Sequence, residues 1–575
     1  MARLHPNGIT DNNRFLRAGL LVLLLVLLGI AALVVQAQTT PPPFNAEELD
    51  YAPLTQWELA QSPEITAMQD TIRSVLAHCE IAFPGSHGDT VTGFVPGADY
   101  PMIFARDTST LLQTATYFYP VEWLKSPIEE FLRRQYTDQT TSDEDGVAAG
   151  TGAISAVIAP DGHIDKATAV SDEETHLIHA ANVYYRAAGG EKWLTEEILE
   201  QTIIDRLNRA MDWLYAHRLD SNTGLIKRAH TTDWGDVKIE PAANPTDIDP
   251  DHDQWTASLY DQALTYRALT ELAEMNRATG NPERAADWLR RAGTLWERAH
   301  SKLWQPDKGF FRTHIHLTPL PHDFDEDSMI SIANAVAIRC GLTDEEQALR
   351  IAAALEMARR AAGANKPGIV LYPPYPDGTF ATERMRPGHY QNGALWDWWA
   401  GWQILAEFES GNAQLAQEHL EQIARDWATH PGQVFEWQTI PDNAGHGPDD
   451  YAGAAGTVGE AIIAGLFGVS IDQDRTELRP RLRDQEGFVR VYQPSTDYYV
   501  AYRYTPKRNA LYLDYGSAVH DIVSVACLIP EGQEVSELLL DGRPIPHHVE
   551  TLGRDTYVTV EAPAGTHRLT IALKD

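Results

Sequence analysis

Residues 391–430 read QNGALWDWWAGWQILAEFESGNAQLAQEHLEQIARDWATH. Apolar residues recur there at i, i+3 and i+4 over 391–410 and again over 413–429, the spacing that lines one face of a helix. Gly411-Asn412 is all that separates the two stretches. A connection that tight turns the chain back on itself, so the pair reads as a helical hairpin. The same reading extends outward in both directions. It predicts twelve helices between about 65 and 469, at 65–79, 108–118, 121–134, 172–187, 196–217, 255–279, 283–303, 327–340, 344–362, 391–410, 413–429 and 452–467. Ser126, Asn281 and Thr343 supply helix-start signals. Short connections (Gly280-Asn281-Pro282, Gly341-Leu342-Thr343, Gly411-Asn412) alternate with long polar, aromatic ones at 135–171, 218–254, 363–390 and 430–451. A ring of helical hairpins produces that alternation. Its long loops gather at one end and build a site there. The expected architecture is mainly α: six hairpins in an (α/α)6 barrel.

After Gly468 the pattern changes to alternating Val, Tyr, Leu and Ile, broken by Pro, Gly and Asp, as at Asp541-Gly542. Residues 470–575 read as a small C-terminal antiparallel β-sandwich. At the other end, Arg14 and Arg17 precede an uninterrupted apolar run over 18–35, long enough to cross a bilayer, and Val35-Gln36-Ala37 offers a cleavage site. Residues 1–37 are therefore expected to be a signal peptide or membrane anchor. The rest would be exported, either secreted, periplasmic or held at the membrane by this segment. Residues 38–62 read as a linker and 63–469 as the catalytic barrel.

The chain has 575 residues, with 46 Lys+Arg against 81 Asp+Glu and a formal charge of −35. That balance argues against a nucleic-acid partner, which would need clustered cations. Three cysteines, Cys79, Cys340 and Cys527, show no metal-finger or disulfide spacing. No nucleotide-binding fingerprint occurs, and no cofactor or metal is expected. Asp247, Asp249, Asp251 and Asp253 alternate along one loop but lack the glycine and closing glutamate of a calcium-binding loop.

Two of the long loops carry the chemistry. HTTDWGDVKIEP (230–241) holds Asp233, Trp234 and Asp236, and the 430–453 loop places Glu436 directly before Trp437. Two carboxyl groups facing each other across a pocket suit glycosidic-bond hydrolysis. One, protonated, assists the leaving oxygen, and the other, ionised, activates a water. An adjacent Trp raises one carboxyl's pKa and offers a flat face to a sugar.

At these residues the chain resembles the six-hairpin glycosidase superfamily, above all glycoside hydrolase family 63 with the trehalase and glycogen-debranching groups. The resemblance rests on Ala105-Arg106-Asp107-Thr108, Trp234-Gly235-Asp236, PGHYQNGALWDWWAGW (387–402) and YAGAAGTVGEAIIAGLFGV (451–469). It implies Asp236 as general acid, with Asp233 as its rival, Glu436 as general base, and inversion at the anomeric carbon. It also implies Arg106 and Asp107 as holders of the terminal sugar's hydroxyls, against the plainer reading of a helix-start ion pair. His389, Tyr390 and Asn392 resemble a sugar-contacting loop, joined at the site by Trp234 and Trp437. Trp396, Trp398 and Trp399 read as core, and Asp172 to His176 as a helix start suited to the dipole. The C-terminal domain resembles that of rhamnosidase-like enzymes, and the short stretch ahead of the first helix argues against a phosphorylase.

The expected function is an inverting, exo-acting glycoside hydrolase with a carbohydrate substrate, touching membrane only through its N-terminal segment. Two alternatives stay open. One is a polysaccharide lyase on the same barrel, with His389 or Tyr390 as base. The other is a glycan-binding surface protein without catalysis.

Overall fold

The computed structural model describes residues 41–138, 150–166, 170–235, 237–239, 254–380, 382–440 and 442–574. Helices form at all twelve expected places: α1 (Pro63–His78), α2 (Ala105–Ala115), α3 (Val121–Arg133), α4 (Glu173–Tyr184), α5 (Ile203–Arg218), α6 (Leu259–Ala278), α7 (Pro282–Leu303), α8 (Ala333–Arg339), α9 (Glu345–Ala362), α10 (Asp397–Glu409), α11 (Ala413–Thr429) and α12 (Ala452–Glu460). Four start later than their apolar pattern suggests, because 197–202, 255–258, 330–331 and 391–396 hold short strands or loop instead. The Asn281 side chain caps α7 by accepting from Arg284 N–H at 3.2 Å. The cap of α9 is Asp344, in a capping box with Gln347, rather than Thr343. Ser126 caps nothing. It lies inside α3, and its hydroxyl donates to the Thr92 carbonyl at 2.9 Å.

Packing sorts the helices into two sets. The even-numbered ones touch in the cycle α2–α4–α6–α8–α10–α12–α2, a closed ring. The odd-numbered ones lie against it from outside, α7 on α6, α11 on α10, and α1 on α11 and α12. Side chains follow this division. On α7 only Ala285, Trp288, Ala292, Leu295, Ala299 and Leu303 are buried, one stripe at helical spacing. On α10 every residue from Asp397 to Phe408 is buried, because ring neighbours cover one side and α11 the other. Glycine makes a close crossing possible: a Cβ on Gly456 of α12 would lie 2.5 Å from Leu111 Cα of α2.

The long connections contain short ribbons, not featureless loop. Ile103–Phe104 pairs with Val157–Ile158, Trp255–Ser258 lies between Arg228–Ala229 and His314–His316, Ile330–Ser331 pairs with Leu371–Tyr372, and Trp437–Gln438 pairs with Gly445–His446. Each pairing includes, or leads directly into, the entry to a ring helix: α2, α6, α8 and α12. Two-residue strands leave too little alternation to be read in a sequence.

The C-terminal region is antiparallel apart from one parallel pairing, Thr476–Leu478 with the strand Ala510–Ile529. Hydrogen bonds join it into one sheet of ten strands. Its backbone is the pair Ala510–Ile529 and Asp555–Lys574, two 20-residue strands with a register break between Ser517 and Ile522. The sheet also takes in a strand from outside the expected 470–575 domain. Gln56–Leu59, inside the expected linker 38–62, pairs with Gly487–Gln493 and forms the sheet's edge. Four residues among polar neighbours carry no strand signal of their own, so the partner strand decides their conformation.

Candidate active site

The first residues of the ring helices meet one another. Arg106, in the first turn of α2, donates from Nε and Nη2 to Asp172, the residue just before α4, at 2.8 and 3.0 Å. Tyr260, in the first turn of α6, donates to the same carboxylate at 3.2 Å and stands 3.0 Å from His176 Nε2. Asp233, in the loop ahead of α6, accepts from Ser331 Oγ and from the Ala333 N–H that opens α8, both at 3.1 Å. The next residue, Trp234, packs its ring 5.1 Å from Trp396 and 5.0 Å from Trp399 at the start of α10. Trp396 lies 6.4 Å from Tyr451, which precedes α12, and the Tyr451 hydroxyl donates to Asp107 of α2 at 3.1 Å. This circuit returns to its starting helix. The N-termini of all six ring helices therefore point to one end, and their partial positive charge is directed there.

Burial and charge set the protonation states. Burial pushes the Asp107 carboxyl up to about 6 against the pull of Arg106 and Tyr451. It pushes Asp233 up to about 7, with Ser331 and Ala333 N–H pulling the other way. Burial also acts on Asp172, but Arg106 and His176 outweigh it and hold that carboxyl well below the usual range. His176 is driven down to about 4 by burial. Arg106 is thus locked in a bidentate pair with an ionised partner at the other helix start, not with Asp107 beside it in sequence.

Glu436 stands on the opposite arc. The strand after it, Trp437–Gln438, turns back through Gly445–His446, and Glu436 N–H donates to Pro448 O at 3.1 Å. The side chain is 4% exposed, and the Tyr100 hydroxyl lies 3.4 and 3.3 Å from its two oxygens. Burial, and then the charge of Glu436, push the Tyr100 phenol far up, so it remains a donor. Gly447 runs against this carboxyl at φ +72°, and a Cβ there would overlap Glu436. Trp437 stacks on His446 at 4.1 Å and lies 6.0 Å from Tyr390, which in turn is 5.4 Å from Trp396. A continuous run of rings thus links Trp234 in one long loop to Trp437 in the other.

The expected site residues separate on inspection. Asp107, Glu436, Tyr390 and Trp437 belong to this end of the ring, and Arg106 is fixed beside them. Trp234 is 2% exposed and enclosed by indoles, so it is core and offers no face to a sugar. Asn392 is fully buried: its amide donates to Tyr375 O and Met385 O and accepts from Tyr375 N–H, so it pins loop backbone. His389 is engaged with Arg386 at 2.9 Å, its ring 6.1 Å from Trp437. Both oxygens of Asp233 serve α8 and Ser331. Asp236 lies outside the described residues, as do Asp247, Asp249, Asp251, Asp253 and residues 1–37. Tyr100, Tyr451 and Tyr260 escaped the sequence reading, since lone tyrosines in loops and helix starts carry no spacing signal. A recess of about 1750 Å³ lies between α9, α11 and the C-terminal sheet and is lined by none of the candidate catalytic residues. Among the described residues, no helix is long and apolar enough to cross a membrane.

Beside Asp233 the same loop carries His230, which with His314, His316 and Glu326 forms a group able to hold a metal ion. Burial, then the neighbouring His314, drives His230 well below the ordinary histidine range. Burial also lowers His314, while His314 and His316 outweigh burial at Glu326 and hold its carboxyl low.

Residues 99–368 match the family model of the bacterial alpha-L-rhamnosidase six-hairpin glycosidase domain. Among solved structures, the alpha-L-rhamnosidase of Dictyoglumus thermophilum is 12% identical, covering 91% of this chain and 51% of that one, at TM-score 0.60. The Streptomyces avermitilis alpha-L-rhamnosidase complexed with L-rhamnose is 15% identical over 92% and 42%, at 0.57. The family 78 rhamnosidase of Bacillus sp. GL1 is 14% identical over 84% and 43%, at 0.56. The chain spans about half or less of each of these enzymes' length. No match is found among curated proteins. Over residues 99–368 the chain is thus similar to a six-hairpin glycosidase domain.

Proposed function

We propose that this six-hairpin glycosidase domain is an (α/α)6 barrel working as an inverting, exo-acting hydrolase that releases a terminal sugar from a glycoside. The observation carrying this is the circuit of contacts joining all six ring-helix N-termini, with Glu436 and the Asp233–Trp234 loop linked across it by aromatic rings. The match to a rhamnosidase domain makes a terminal α-L-rhamnoside the first substrate to test.

In this reading Glu436 takes a proton from water as the water attacks the anomeric carbon. Asp236 protonates the departing oxygen. Inversion needs the two carboxyls roughly 6.5–9.5 Å apart, with room for that water. Asp233 is a positioning residue: its carboxyl ties the loop that continues to Asp236 onto α8. Tyr100 orients Glu436, and Arg106 with Asp107 receives sugar hydroxyls. Export through residues 1–37 belongs to the same proposal and places the enzyme where free glycosides are met.

The deciding experiment is a panel of aryl glycosides, α-L-rhamnoside included, with NMR of the anomer first released. Hydrolysis by wild type, loss with Glu436→Gln and Asp236→Asn, and an inverted first product support the reading. A retained anomer, an unsaturated product, or unchanged turnover in either variant overturns it.

A further inference from the structure

Strand His314–His316 places two imidazoles on one face, two residues apart, and His316 pairs in register with Thr256 of the neighbouring strand. On the far side of that neighbour, Arg228–Ala229 leads into His230, whose N–H donates to Gln254 O at 2.7 Å. Three rings from two strands thus converge. Their centroids lie 4.6 Å (His230–His314), 4.8 Å (His230–His316) and 5.0 Å (His314–His316) apart, each pair edge to face. Glu326, on a short turn before α8, enters among them. Its Oε2 is 2.6 Å from His316 Nε2 and 3.4 Å from His314 Nε2, and its Oε1 is 3.6 Å from His230 Nε2.

Hydrogen bonding accounts for only part of this convergence, with the Tyr375 hydroxyl 3.5 Å from His230 Nε2. His316 bonds to Glu326, yet buried His314 Nε2 and Glu326 Oε1 have no hydrogen-bond partner. A carboxylate ringed by imidazoles, with a buried lone pair unused on each side, is the donor set of a cation site. One ligand atom from each of the four residues lies within 4.8 Å of all the others. Tetrahedral coordination at about 2.0–2.1 Å per bond sets ligand atoms roughly 3.4 Å apart, the length that the Glu326 Oε2–His314 Nε2 contact already has. Three nitrogens and one carboxylate disfavour calcium and magnesium, which take oxygen ligands, and suit zinc.

We propose that His230, His314, His316 and Glu326 form a closed, four-ligand site for a divalent d-block cation, zinc by its chemistry, that fastens the root of the 230–239 loop to strand His314–His316. Four protein ligands leave no open position, so the role is structural. His322, at the rim with Nε2 3.4 Å from Glu326 Oε2, stands outside the set. The sequence reading expected no metal, because these ligands come from three separated segments with no recurring spacing. The site stands whether or not the glycosidase reading does, since its test needs no substrate.

The test is elemental analysis of the full-length protein after gel filtration, then titration of chelator-treated protein with Co²⁺, followed by its visible ligand-field bands, and with Zn²⁺. One bound metal per chain is expected, with intense tetrahedral cobalt bands and a melting temperature lowered by chelator and restored by Zn²⁺. Glu326→Gln and His316→Ala should each weaken binding by more than about 100-fold, while His322→Ala keeps full stoichiometry. Wild-type protein with no retained metal and no cobalt spectrum overturns the proposal, whatever the variants do. Equal loss in His322→Ala overturns the four-ligand set.

Discussion

Asp233-Trp234 and Glu436-Trp437 are the same dipeptide type, an acid followed by an indole, in two long loops of one ring, yet the fold uses them differently. Trp234 is sealed between the indoles of α10, and both oxygens of Asp233 are taken by Ser331 and the first N–H of α8. Trp437 lies against His446 and Tyr390, and Glu436 faces a phenol at 3.3–3.4 Å beside a glycine that leaves it room. An acid next to a tryptophan can be a loop anchor or a reagent, and only the neighbours decide which.

Four substitutions press on that difference. Glu436→Gln should cut kcat by about two to four orders of magnitude with an unchanged melting curve, the scale of a lost general base. Steady-state kinetics on the cognate glycoside, with circular dichroism, reads it. If Asp233→Asn matches that loss at unchanged stability, the contrast between the two loops is gone. Asp172→Asn removes the charge that Arg106 pairs with bidentately and should cost about 3–5 kcal/mol in denaturant unfolding, as broken buried pairs do.

Asp233→Asn itself should cost about 1–3 kcal/mol through its weakened hold on α8, and its pH dependence carries a sign. Burial holds the folded pKa near 7, above the ordinary value of 3.8, with Arg228 and Asp261 also acting on it. Folding therefore favours the protonated acid. That contribution is fully present below about pH 4 and is lost as pH rises through 7. The melting temperature of wild type relative to Asp233→Asn should fall over that window and level off above it. A difference that grows with pH would contradict the buried, proton-holding role. The smallest effect belongs to Tyr100→Phe. Losing one long hydrogen bond is worth about 0.5–1.5 kcal/mol, so kcat/KM should drop only a few-fold.

Much of the scaffold was legible because helical periodicity is local. The stripe on α7 and the tight turn Gly411-Asn412 can be read without knowing what they touch. Elements whose conformation depends on a distant partner were not legible. Gln56–Leu59 is a strand because Gly487–Gln493 is there to pair with it. Asn392 looked like a sugar ligand until its three backbone bonds were seen. Trp234 looked like a platform until the indoles of α10 closed around it. The resemblance sets Arg106 beside Asp107 as holders of sugar hydroxyls, whereas the Arg106 guanidinium donates to Asp172, 66 residues away.

The sequence alone determined the helical hairpins, the change to strands after residue 468, and which two long loops carry paired acids and tryptophans, since all three are written in spacing and local composition. Tertiary structure alone decided that six helix starts share one end, that Asp233 is spent on α8 while Glu436 faces Tyr100, and that three histidines and a glutamate from separate segments converge. Such groups meet through strand pairing and ring closure, and chain separation carries no trace of that.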